Sequence, residues 1–266
     1  MEKTFIQGVL IVLSFFGIWF GLQQVDWMNV FRVEHYSDET EEKLGEIFWE
    51  MIESTEEIVK DKYLISTVDS LVNKICIEND IYRESLKVHI ILNDEINAFA
   101  LPDGHLVINT GLIASAESHQ ELCGVIGHEI AHIELNHIMQ KLVKEIGLSA
   151  VLSIATGGRS EVIGEAAHVL SSSAFDRKLE EEADIKAVDY LTTARIDPEP
   201  LANFMYKLAE QQPEFLEYFS WVSTHPDSKD RALYIIEYSK SKKVKYEPVI
   251  KTATWEKAKA SLPAQN

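Results

Sequence analysis

His128-Glu129-Ile130-Ala131-His132 is the stretch on which the reading of this chain turns. It is a complete HExxH. Residues i and i+4 share one helical face, so both imidazoles can reach the same ion. Glu129 lies beside them, where it can polarise a metal-bound water. The segment must be helical for this to work. Ser118 and Glu121 form a capping-box signature ahead of it, and Leu122, Val125, Ile126, Ile130 and Ile133 supply an apolar stripe.

A catalytic zinc takes three protein ligands and keeps one position open. His137 lies five residues past His132, which rotates it roughly 140° round a helix of 3.6 residues per turn, away from that ligand. No Gly turn carrying a further His follows. The remaining candidate is Glu180, in Glu180-Glu181-Glu182-Ala183-Asp184. Glu180 and Asp184 again stand at i and i+4. Glu180 can bind the ion while Asp184 accepts the spare N–H of a ligand His, which fixes the tautomer and orients the ring. A Glu-rich helix face is usually only solvated. What favours a metal is HExxH together with a downstream ExxxD.

Outward from this segment the period of the pattern changes twice. Leu86 to Leu92, Ile96 to Leu101 and His105 to Asn109 read as short strands, with Pro102-Asp103-Gly104 as a turn. Before them, Leu44, Ile47, Phe48, Met51 and Ile52 follow helical spacing within an acidic run whose charges suit a solvated face. Ser37 and Asp38 are its expected caps. A second helical pattern runs through Val68, Leu71, Val72 and Ile75. After Gly111 the chain reads as helical nearly to its end, with Asp197-Pro198 opening one helix and Thr224-His225-Pro226-Asp227 as a loop before another. Leu148 to Ala155 is apolar but too short to cross a bilayer, and is read as core rather than as a lid. Seven Lys and two Glu between residues 240 and 259 suggest a solvated basic tail.

The chain has 266 residues, with 43 acidic against 25 basic side chains and a net charge of −18. That balance argues against nucleic-acid binding, which needs clustered Lys and Arg. Two cysteines exclude a disulfide scaffold. Phe5 to Leu22 carries no charge and is long enough to span the roughly 30 Å core of a bilayer. Trp19 and Trp27 stand near its end as interfacial anchors. No small-x-small cleavage site follows, so an uncleaved anchor is preferred to a cleaved signal peptide. Lys3 before the span and the acids after it place the rest of the chain outside the cytoplasm, on the periplasmic side of an inner membrane. The expected organisation is an anchor over residues 1–27, a protease-like metal domain over 33–240 and a basic tail over 241–266. The fold class is α+β, mainly helical, with one small sheet.

Several patterns together resemble the zinc-dependent gluzincins of metallopeptidase family forty-eight, which includes the CAAX prenyl proteases, HtpX and the Oma-type proteases. The resemblance covers about residues 62–239. Asn97-Ala98-Phe99-Ala100 and Gly104 to Leu112 resemble the family's strand and turn. Glu121 to His132 resembles its zinc helix, Arg177 to Asp184 its RxxExxAD segment, and His225-Pro226 with Arg231 its late HPxxxxR motif. Cys123 replaces a small apolar residue usual there. The resemblance implies one zinc ion per subunit, held by His128, His132 and Glu180, with Asp184 behind them.

It also implies protein or peptide substrates, and a role in envelope quality control. Glu129 is the expected proton acceptor and His225 or Arg231 the expected help for the oxyanion. His225 could instead close the fourth ligand position as a latch. The strand Asn97 to Ala100 could hold an extended substrate as an added β-strand. The alternatives are a non-proteolytic, chaperone-like module with a structural zinc, which would need no Glu129, and prenyl-peptide processing, which needs a chamber that one span cannot build.

Overall fold

The computed structural model describes residues 38–210, 220–226 and 228–263, together with four isolated positions before residue 38. The chain divides into two units, residues 1–37 and 38–266. The span expected over residues 5–22 lies outside the described residues apart from those four positions. Among the described residues, no helix is long and apolar enough to cross a membrane.

The second unit is α+β and mainly helical, with one three-stranded sheet. It opens with α1 (Asp38–Thr55) and α2 (Lys62–Glu78). The apolar stripe of α2 is buried throughout, Val68, Leu71, Val72 and Ile75 being wholly covered. Asp61 caps it by accepting the Leu64 N–H at 2.7 Å. The strands follow as β1 (Lys87–Ile91), β2 (Ala98–Leu101) and β3 (His105–Asn109), in the spatial order β1-β3-β2. β3 is central and fully buried, parallel to β1 and antiparallel to β2. The turn between β2 and β3 holds Gly104 at φ +70°; a Cβ there would lie 1.9 Å from the Ser85 carbonyl oxygen.

The rest is helical, as the pattern after Gly111 led one to expect. It comprises α3 (Thr110–Ser115), α4 (His119–Glu134), α5 (His137–Ile146), α6 (Leu148–Ala155), α7 (Ser160–Ser172), α8 (Arg177–Thr193), α9 (Glu199–Glu210), α10 (Ser220–Thr224), α11 (Ser228–Lys240) and α12 (Thr252–Ala260). Ser118 Oγ caps α4 by accepting the Glu121 N–H. The Glu121 carboxylate reaches back to the Glu117 N–H at 2.7 Å, one residue before the reciprocal position of a capping box. α4 lies at the centre, packed on α8, α9, α2 and β2. Gly124 permits the close crossing with α9, because a Cβ there would meet the Leu201 Cβ at 2.6 Å. β2 meets α4 through alanines, Ala98 and Ala100, both buried. In the short α6, Val151 and Ile154 are buried and Leu152 is exposed, so this segment contributes a core face.

The basic tail corrects the sequence reading. Residues 252–260 form a helix that packs on α2, and Trp255 is only 1% exposed. Lysine density set the expectation of a solvated tail. A single indole overrode it, because burying one aromatic ring stabilises more than exposing a few ammonium groups, whose stems can lie along the surface, costs. Trp255→Ala should therefore destabilise the whole fold by about 3–5 kcal/mol, read as a lowered Tm in thermal unfolding. A Tm equal to that of the parent protein would mean that the helix is dispensable.

Candidate metal centre

His128 and His132 stand one turn apart on α4 and are wholly buried. Glu180 enters from the first turn of α8, and His225 from the end of α10. One donor atom from each of these four residues lies within 4.8 Å of the others. His128 Nε2 and His132 Nε2 are 3.0 Å apart, and His132 Nε2 is 3.3 Å from Glu180 Oε1. Glu181 is exposed and turned away from the cluster, whereas Glu180 is 1% exposed. The acid with the buried position is thus the one that the i, i+4 spacing singled out.

The rings are held from behind. His128 Nδ1 lies 2.9 Å from Asp184 Oδ1. His132 Nδ1 lies 3.1 Å from His137 Nδ1, whose far nitrogen is 3.5 Å from Glu182 Oε2. With each Nδ1 engaged, both Nε2 lone pairs face the same point, an arrangement that a cation satisfies. Two imidazoles, a carboxylate and a fourth position match the donor chemistry of a catalytic zinc site, so these residues fit that ion. His137 was excluded as a ligand by its rotation, and it is not one of the four. It belongs to a new helix, because Asn136 takes a left-handed conformation and breaks α4 from α5. That break is what swings His137 back onto His132, which no spacing rule on a continuous helix foresees.

Arg231 ties the acids together. Its Nε and Nη2 donate to the two oxygens of Asp184 at 2.7 and 2.8 Å, and its Nη1 pairs with Glu180. Tyr234 donates a further hydrogen bond to Asp184. Burial would raise the Asp184 carboxyl, but Arg231 and His128 bring it down to about 2. Burial opposes ionisation of Glu180 as well, and His225 and Arg231 hold it well below the usual carboxylate range. With its donors committed in this way, Arg231 is placed to hold the acids. Burial lowers His132 and His225 to about 4 and also lowers His128, keeping the imidazoles neutral and able to ligate.

Glu129 is 1% exposed, and burial raises its carboxyl to about 8, with the hydrogen bond from the Trp221 indole N–H (3.1 Å) opposing. His225 is the residue whose placement departs most from expectation. A His before Pro in a loop suggested an extended, movable residue. Its backbone N–H instead bonds to the Trp221 carbonyl at 2.8 Å, in the last turn of α10. Its ring stacks on Trp221 at 4.6 Å and on Phe175 at 5.5 Å between centroids. Trp221 and Phe175 escaped the sequence reading. Trp221 stands four residues before His225, a spacing that could have flagged it. Phe175 carried no signal.

The Peptidase family M48 pattern matches residues 60–238, well over half of the chain. This chain belongs to peptidase family M48. The match brackets both halves of the donor set and both holding residues, Asp184 and Arg231. The chain is 25% identical over 218 residues to the beta-barrel assembly-enhancing protease of Yersinia pestis, covering 74% of this chain and 44% of that protein. It is 27% identical over 165 residues to the mitochondrial metalloendopeptidase OMA1 of Schizosaccharomyces pombe, covering 60% of this chain and 49% of that one. The beta-barrel assembly-enhancing protease of Escherichia coli matches at 24% over 185 residues, 64% of this chain and 38% of its own. The chain thus spans less than half the length of each of these relatives. As an M48 member with this donor cluster, it is a zinc metalloprotease.

Glu180→Ala should abolish tight zinc binding, whereas Glu181→Ala should leave it intact. His137→Ala should weaken affinity by about 10–100-fold, as loss of a partner behind a ligand does. Chelator competition on the purified proteins reads all three; equal zinc loss in Glu180→Ala and Glu181→Ala would refute the ligand assignment.

Proposed function

We propose that this chain is a metalloendopeptidase acting on extended segments of unfolded protein, anchored to a membrane through residues 5–22 with its catalytic unit outside the cytoplasm. His128, His132 and Glu180 hold the ion, and Asp184 and Arg231 hold the ligands. Bound zinc supplies a Lewis acid for the scissile carbonyl and lowers the pKa of a water. The observation that carries the reading is Glu129. A structural zinc site has no use for a buried carboxylate beside the ligands, aimed by an indole N–H and shifted towards neutral pH. Such a group is poised to accept the proton of the attacking water and return it to the leaving amine. A cation at the donor cluster would lower its pKa from about 8, still leaving it an exchangeable base.

Edge strand β2 supports an extended substrate. The Asn109 N–H bonds to the Asn97 carbonyl at 3.0 Å, which makes these two a hydrogen-bonded pair. Antiparallel alternation then turns the backbone groups of Ala98 and Ala100 off the sheet, free to pair with an added strand. A place in envelope protein quality control rests on the assembly-enhancing proteases among the relatives.

His225 has two readings. Its Nδ1 lies 2.8 Å from Glu180 Oε1 and 3.2 Å from His128 Nε2, among the ligand atoms. Its Nε2 is 3.4 Å from Glu129 Oε1. The first contacts favour a fourth ligand that shuts out water, and the clamp by Trp221 and Phe175 favours a ring that rests there. Help to the oxyanion would require it to turn away from this position.

Glu129→Gln should retain zinc and fold yet lose casein cleavage by at least about 10²-fold. Cleavage equal to wild type would sink the mechanism. His225→Ala, compared at matched zinc occupancy, should raise basal cleavage if the closed position is a latch. A fall in turnover with the same zinc content would assign His225 to the oxyanion instead.

A further inference from the structure

A cleft of about 420 Å³ opens on the face of the sheet turned away from α4. Its floor includes Phe99 and Leu101 of β2. One wall is α1, through Phe48 and Met51. The other is α7, through Ala167 and Leu170, and Thr224 closes the end next to His225. The volume suits one large side chain with the backbone that carries it.

Alternation along β2 connects this cleft to the edge. Asn97, Phe99 and Leu101 point into it, while the backbone of Ala98 and Ala100 faces outward. A strand added at that edge projects every second side chain to the cleft face. Two polar groups in the cleft favour a peptide over a simple apolar ligand. Asn97 and Asn109 are 7% and 2% exposed, and the Oδ1 of each has no hydrogen-bond partner among the described residues. Asn109 is the N-cap residue of α3, yet its side chain makes no capping bond. Asn is favoured at that position because it caps. Here it forgoes the cap, and its carboxamide lines the cleft with that of Asn97, where peptide N–H groups would satisfy both.

We propose that this cleft is a specificity subsite that receives a large apolar side chain, leucine or phenylalanine, from an extended substrate segment paired on β2, with Asn97 and Asn109 bonding that segment's backbone. This rests on the peptidase reading for its biological use, but the subsite is defined by binding alone.

The test therefore measures both. Zinc-loaded full-chain Glu129→Gln is titrated with labelled, unstructured peptides identical except for Leu, Phe or Ala at one central position. Leu and Phe should bind at least about tenfold more tightly than Ala, the scale of discrimination expected for a few methylenes in an apolar pocket. Ala167→Trp or, should that variant unfold, Ser171→Trp on the exposed rim should fill the cleft and erase the difference. Asn109→Ala should weaken all three peptides alike. Binding that ignores the central side chain, or a preference that survives in a folded cleft-filled variant, overturns the subsite. Mass-spectrometric mapping of casein fragments from wild type is read separately. Absent cleavage with side-chain-selective binding would remove the peptidase reading and leave the subsite standing. Cleavage without apolar selectivity would do the reverse.

Discussion

The ion pairing of Arg231 with Asp184 and Glu180 is the constraint on which the rest of the structure depends. Two carboxylates and a guanidinium are buried together, at 0%, 1% and 3% exposure. Each would cost several kcal/mol alone in a low-dielectric interior. Joined by a two-pronged Arg–Asp contact and a shared Arg–Glu contact, they become tolerable, and they fix α8 and α11 relative to each other. His128 is then oriented by Asp184 rather than by packing. The excess negative charge of the two acids over the one guanidinium leaves the centre in need of a cation, which is the electrostatic condition for holding zinc.

Packing serves this centre by letting α4 be approached from all sides. Gly124 admits α9, and Ala98 and Ala100 admit the edge strand. The small side chains of β2 have a second consequence. They bring the outward-facing backbone of that strand near the helix that carries Glu129, and leave the larger residues of β2 on the opposite face, where they floor the cleft. Placement of substrate and placement of the base are thus settled by the same alternation. The aromatic clamp of Trp221 and Phe175 around His225 adds a third layer, because Trp221 both stacks on that ring and aims Glu129. A movement of α10 would therefore shift the fourth donor and the base together.

The amino-acid sequence by itself determined the class of chemistry. His128, Glu129, His132 and Glu180 are spaced so that helical periodicity alone puts each pair on one face, and the strands and the Ser118 cap follow from local alternation and side-chain chemistry. These are short-range consequences of backbone geometry, legible one element at a time. What only the tertiary structure decided lies between elements. His137 backs His132 because Asn136 breaks the helix. Arg231 is committed to the acids because α11 packs across α8. Trp255 draws the lysine-rich end into the core, and α1 and α7 wall a cleft that neither contains. None of these has a period or a motif, because each depends on which distant side chains share the same buried volume, and in a buried volume the pairing of charge and the filling of space outweigh local preference.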